Sequence, residues 1–266
     1  MNQLDKPEIF TNDEIFFFDC NISYGVATKP PLKQSITPGE LLAEMDHCGI
    51  DEALVTCAMQ RYSPSVGNAV LVEQIENQPR LHPVWALLPH QTGEIPEPVQ
   101  LIDQMKANGV RALWAWPMEH HYLLDSVTFG SLFEEIIPRQ IPLFFNLAHM
   151  GDTHPGWERI AALLKDFPDL TLIATDQSVW GEDHYIRPLV ERYPNFYVET
   201  SHYELANGLK DFYKKYGADH WLFGTSYPKR YMGGAVMQLI NTDIPRAARQ
   251  SIAGRNLKNL LEAVKL

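Results

Sequence analysis

Short apolar runs alternate with amphipathic stretches of helical length along this chain. The runs are rich in branched and aromatic residues, as strands buried on both faces require. The pattern predicts eight strands, at 15–19, 52–57, 82–88, 110–115, 141–146, 170–175, 196–200 and 220–224. The clearest helix is 38–49: Thr37 can cap its N-terminus, Pro38 suits its first turn, Glu40 completes a capping box, and Gly49 can close it. A helix of about ten residues ends near Gln78. Further helical patterns cover 99–107, 131–137, 157–166, 186–192 and 209–216, and two or three segments after the eighth strand end with 252–264.

Eight strand–helix alternations in 266 residues predict an α/β fold, a single (β/α)8 TIM barrel with extra C-terminal helices. A doubly wound sheet expects a glycine-rich phosphate turn after an early strand, and the sequence has none. Without a linker, low-complexity tract or short-period repeat, residues 1–266 read as one domain.

Composition narrows the classes of partner. Apolar residues make up 45% and charged ones 21%, enough apolar content for a large core. A formal charge of −11 argues against nucleic acid and anionic membranes as partners. The sequence has no apolar run of the ~18 residues a membrane span needs. The polar start, Met1 to Asn12, lacks the order of a signal peptide. Cys20, Cys48 and Cys57 have no CxxC spacing and read as reduced thiols. The expectation is a cytoplasmic protein with a small-molecule substrate; a homo-oligomer is left open.

In such a barrel the chemistry sits at the C-terminal ends of the strands. There the chain presents Asp19-Cys20-Asn21-Ile22-Ser23, Asn146, Asp176, Glu199 with His202, and Ser226 followed by Lys229 and Arg230. His149, Asp152 and His154 follow the fifth strand. Arg61 follows the second and His90 the third. Trp114, Trp116, the adjacent His120 and His121, and Tyr122 surround the fourth, and Trp180 follows the sixth.

Over about residues 15–261 the sequence resembles the amidohydrolase-related (amidohydrolase-2) family of metal-dependent barrel hydrolases and decarboxylases. The likeness rests on an ordered series: Glu44-Met45-Asp46-His47-Cys48-Gly49-Ile50-Asp51, Asn68 with Gln78-Pro79-Arg80-Leu81, and Ala86-Leu87-Leu88-Pro89. It continues through Asn108-Gly109-Val110-Arg111, Phe167-Pro168-Asp169-Leu170, Tyr193-Pro194-Asn195-Phe196, Phe223-Gly224-Thr225-Ser226 and Ile252-Ala253-Gly254-Arg255-Asn256.

The resemblance implies two histidines after strand one, one after each of strands five and six, and an aspartate after strand eight. Here those positions carry Asn21 and Ser23, Asn146, Asp176 and Ser226. All five depart from the pattern, and only Asp176 could still be an anionic ligand. Amides and hydroxyls bind zinc-like ions poorly. The expectation is therefore no metal and no other cofactor. Asp176 is the candidate for proton transfer, with His149 or His202 assisting. Asn21, Ser23, Arg61, Asn146, Glu199 and Ser226 are the candidates for binding substrate. Lys229 and Arg230 could bind a carboxylate, and the aromatics could supply pocket walls.

The resulting expectation is an amidohydrolase-like hydrolase acting on a small carboxylate, lactone or amide without the usual divalent metal. Two alternatives stay open: an inactive barrel that binds a metabolite or partner, and a metal-dependent hydrolase or decarboxylase whose site is rebuilt from His149, Asp152, His154 and Asp176.

Overall fold

The computed structural model describes residues 15–27, 32–147, 155–178 and 182–266. Its strands are β1 (Phe18–Tyr24), β2 (Glu52–Cys57), β3 (Leu81–Pro83), β4 (Trp85–Ala86), β5 (Leu113–Ala115), β6 (Leu143–Asn146), β7 (Leu172–Thr175), β8 (Phe196–Glu199) and β9 (Trp221–Leu222). The helices are α1 (Pro38–Cys48), α2 (Pro64–Ile75), α3 (Pro98–Ala107), α4 (Ser126–Ile136), α5 (Pro155–Asp166), α6 (Asp183–Arg192), α7 (Gly208–Tyr216), α8 (Met232–Asn241), α9 (Arg246–Gln250) and α10 (Asn256–Glu262).

All strand pairs are parallel and run in sequence order. The ladder breaks once, inside the third predicted strand. Pro83 has no N–H to donate, and at Val84 the segment changes partner: Val84 N–H donates to Val55 O (3.2 Å) and Trp85 N–H to Ala112 O (3.2 Å). At the far end Cys20 N–H donates to Phe223 O (2.8 Å) and Ser23 N–H to Tyr227 O (2.9 Å), bringing the last strand back onto the first. The architecture is a (β/α)8 TIM barrel followed by extra helices, as the sequence predicts.

Two apolar layers follow from strand alternation. Residues facing the helices, such as Ala53, Val55, Leu113, Phe145, Leu172 and Phe196, join the outer core. Their neighbours Phe18, Cys20, Leu54, Ala86, Trp114, Phe144, Ile173 and Leu222 fill the barrel itself. Leu257 and Leu261 of α10 pack with that inner set. Trp114 therefore belongs to the barrel interior, where it stacks on Phe144 with ring centroids 5.0 Å apart.

Boundaries differ from expectation where side chains act on the backbone. The first strand runs to Tyr24, not Asp19, so Asn21 and Ser23 are strand residues. Its register shifts between Asp19 and Ile22, where Asn21 N–H donates to the Asp19 carboxylate (2.9 Å). Helix α4 starts five residues early because Asp125 caps it, accepting from Thr128 N–H (2.9 Å). The capping box of α1 forms as predicted, with Gly49 left-handed at φ 72°.

Candidate active site

Asp176 follows β7 directly and is buried, with a left-handed backbone at φ 54°. Ser226, after β9, is also left-handed, at φ 56°. For non-glycine residues this conformation is costly, and it concentrates at functional sites. Neighbouring strands fix both. Glu199, at the end of β8, accepts from the Asp176 backbone N–H at 2.9 Å. It also accepts from the Ser201 N–H (2.6 Å) and hydroxyl (2.7 Å), and from Asn21 Nδ2 at 3.5 Å. Glu199 is fully buried.

The Asp176 carboxylate is surrounded by donors. Ser226 Oγ donates to Oδ1 at 2.6 Å, and Asn146 Nδ2 donates to Oδ2. His202 Nε2 lies 3.3 Å from Oδ1, and Lys229 Nζ lies 3.7 Å from Oδ2. Burial alone would push this carboxyl up, but His202, the Lys229 charge and the Ser226 hydroxyl hold it well below the usual carboxylate range. Arg230 approaches the other ring nitrogen of His202, Nδ1, at 3.3 Å and pairs with Glu204. Arg230 can only donate, which leaves Nδ1 as acceptor and the ring proton on Nε2, facing Asp176.

Behind this cluster, Asp19 is fully buried. Thr225 donates to it through its hydroxyl (2.5 Å) and its backbone N–H (3.1 Å). Burial pushes the Asp19 carboxyl up to about 7, against the lowering effect of those hydrogen bonds. Burial, then the Asp176 charge, likewise push Glu199 up.

Across the mouth, Arg61 pairs with Glu119, and its guanidinium lies 5.0 Å over the Trp116 ring. Trp116 stacks on Trp114 at 5.6 Å, which continues to Phe144. His120 meets the edge of Trp116 at 5.8 Å, and burial pushes its imidazole pKa down. The two sides differ in chemistry: Asp176 and Lys229 stand beside His202 on one, and an aromatic stack under a cation forms the other.

The structure thus brings Asp176, His202, Asn146 and Ser226 together, with Asn21 and Glu199 behind them. Ser23 is half-buried, tied by its backbone to Tyr227, and Arg61 stands with Trp116. His149 lies outside the described residues, as do Asp152, His154 and Trp180. His90 pairs with Glu97 at 3.3 Å. Asp19, Thr225 and Glu119 join the site although none is a catalytic or binding candidate from the sequence pattern. A charged residue directly after Phe16-Phe17-Phe18 was the available signal for Asp19.

The fold has many solved counterparts. 5-Carboxyvanillate decarboxylase from Sphingomonas paucimobilis is similar with a TM-score of 0.72 and 15% identity, over 94% of this chain and 100% of that one. These likenesses show the fold, a TIM barrel shared with solved decarboxylases and with a protein described as an amidohydrolase. An uncharacterised TIM-barrel protein from Bordetella bronchiseptica matches with a TM-score of 0.70 and 20% identity, over 92% and 99% of the two chains. A dihydroxybenzoic acid decarboxylase from Polaromonas sp. JS666, with bound manganese and the inhibitor 2-nitroresorcinol, matches with 0.67 and 18%, over 93% and 97%. No family model matches the sequence, and a comparison with curated proteins found no match.

A divalent metal of the amidohydrolase type does not fit the residues at these strand ends. Among the described residues no group of three or more His, Cys, Asp or Glu side chains could hold one. Asp176 offers one carboxylate, already accepting from Ser226 and Asn146, and the Lys229 ammonium lies 3.7 Å from it. Apart from His202, whose Nε2 faces the same carboxylate, amide and hydroxyl oxygens complete the described set, a poor one for a zinc-like ion.

Proposed function

We propose that the chain works as one catalytic barrel that hydrolyses a small, ring-bearing carboxylic acid derivative, such as a lactone or amide. His202, held and oriented by Asp176, transfers the proton, with no metal-bound hydroxide. The observation that carries this reading is the Asp176 carboxylate, held in a left-handed turn by Glu199 and Ser226 and flanked by His202 and Lys229. A buried carboxylate kept anionic orients the imidazole and offsets the charge the imidazole gains.

Once Arg230 turns aside, Nδ1 of His202 is free to take a proton from water as its oxygen attacks the substrate carbonyl. The other ring proton stays on Nε2, directed at the Asp176 carboxylate, and the proton taken up on Nδ1 passes to the leaving group. Lys229 suits a substrate carboxylate or the developing oxyanion. Trp116 offers a flat surface to a ring, and Arg61 a cation beside it. The test is turnover of aromatic lactones, esters and amides by chelator-treated protein. Retained turnover in the wild type, with Asp176→Asn inactive yet still binding, supports the reading. Turnover restored only by added zinc or manganese sinks it.

The aromatic stack favours decarboxylation of an aromatic acid as a second reading, in keeping with the solved decarboxylases of the same fold. Release of carbon dioxide from hydroxybenzoates would decide for it. Tight binding of such compounds with no conversion would favour a binding protein.

A further inference from the structure

A second concavity adjoins the mouth, a cleft of about 630 Å³ alongside α7 and α8. Arg230 belongs to both places: it lines the cleft, and its Nη2 lies 3.3 Å from His202 Nδ1. Lys210 lines the cleft as well. Each of these cations is paired with a carboxylate, Glu204 or Asp243, that also lines the cleft but is more exposed than the cation it holds. The Arg230 side chain is 32% exposed and that of its partner Glu204 53%; for Lys210 and Asp243 the values are 33% and 82%. Ion pairs with so exposed a partner contribute little. An incoming anion can therefore take over either cation at small cost. The guanidinium fork and the ammonium suit a carboxylate or a phosphate ester equally.

We propose that this cleft binds a small organic oxyanion through Arg230 and Lys210, and that binding draws Arg230 away from Nδ1 of His202. The consequence for catalysis rests on the acid–base reading above; the binding itself does not. Under that reading the anion acts as an activator, since the nitrogen it releases is the one that must accept a proton from water.

The test uses the full chain, with citrate and phenyl phosphate as probes, followed by calorimetry and by imidazole ¹⁵N resonances. Saturable binding is expected, weakened at least about tenfold by Arg230→Gln. Gly234→Leu should weaken it comparably: Gly234 lines the cleft, and a Cβ there meets no atom within 4 Å. The added side chain therefore fills the cleft without disturbing the fold. Lys229→Gln, which removes the cation at the mouth but not one lining the cleft, should leave the affinity unchanged, and the His202 Nδ1 resonance should move as the anion is added. Preference for one probe would assign the ligand to carboxylates or to phosphate esters.

Absence of saturable binding overturns the proposal. So does binding lost in Lys229→Gln but kept in Arg230→Gln and Gly234→Leu, which would place the anion in the mouth. Binding with no movement of the His202 resonance overturns the coupling. Failure to find any turnover, with binding and resonance shift intact, would count against the catalytic reading alone and leave the cleft standing.

Discussion

Ser226 donates its hydroxyl to Asp176 across 2.6 Å, from a backbone as left-handed as that of its acceptor. Two strained residues, one after β7 and one after β9, thus hold each other through their side chains, while Glu199 on the strand between them grips the Asp176 main chain. Removing the hydroxyl leaves a buried carboxylate one donor short, at about 1–3 kcal/mol. Ser226→Ala should lower the free energy of unfolding by that amount, and urea denaturation reads it.

Asp176→Asn should cut turnover by about 10²–10⁴-fold, the usual worth of positioned proton transfer. It should also change the acid limb of stability. Because the folded-state pKa of Asp176 is depressed, its stabilising effect is present above the ordinary carboxylate pKa and is lost as pH falls through the folded value. Melting temperatures taken down a pH series should therefore fall less steeply for Asp176→Asn than for the wild type. Equal slopes would mean that Asp176 is not held anionic by His202 and Lys229.

Asp19 works in the opposite sense. With its pKa raised to about 7 from 3.8, its protonated form favours the fold below the ordinary value, and that benefit is lost as pH rises through 7. Asp19→Asn keeps an oxygen for the backbone donors and offers an amide to the Thr225 hydroxyl. The variant should gain on the wild type between pH 5 and pH 8 in paired denaturation curves. A constant difference across that range would exclude titration of Asp19.

Gly224 has no room for a side chain. A Cβ there would lie 2.3 Å from Glu199 Oε2 and 3.2 Å from Asn21 Cβ. Gly224→Ala should cost about 1–3 kcal/mol through overpacking. It should also displace the carboxylate that supports Asp176, so activity should fall further than stability explains. A variant with normal stability and normal activity would show that Glu199 moves freely.

Under the proposed function Arg61, over the Trp116 ring, bears on affinity rather than chemistry. Arg61→Met should raise KM for an aromatic carboxylate about tenfold and leave kcat near its original value. A fall in kcat with unchanged KM would place Arg61 among the groups that act in the transition state.

Most strand and helix positions were legible because they depend on local periodicity and caps. The capping box of α1 needs only Thr37, Glu40 and Gly49, and it forms as read. The end of β1 was misplaced because it is set by distant partners: Ser23 is held by Tyr227 and faces Thr56 on β2. His202 could be named beside Asp176 because barrel topology sends every strand end to one face. Glu119 could not be assigned to Arg61, 58 residues away in sequence. Nothing in the pattern of either segment pairs them.

The sequence by itself determined the α/β alternation, the barrel order and the chemical identity of each strand-end residue, including amides and hydroxyls where the resembling family carries histidines. Those follow from side-chain period and residue type. Only the tertiary structure decided which groups meet: Asp176 with Ser226 across 50 residues, and Asp19 with Thr225 across 206. The reason is physical. A carboxylate's charge state depends on the donors and burial around it, and those come from strands that are neighbours only after the ring of strands has formed.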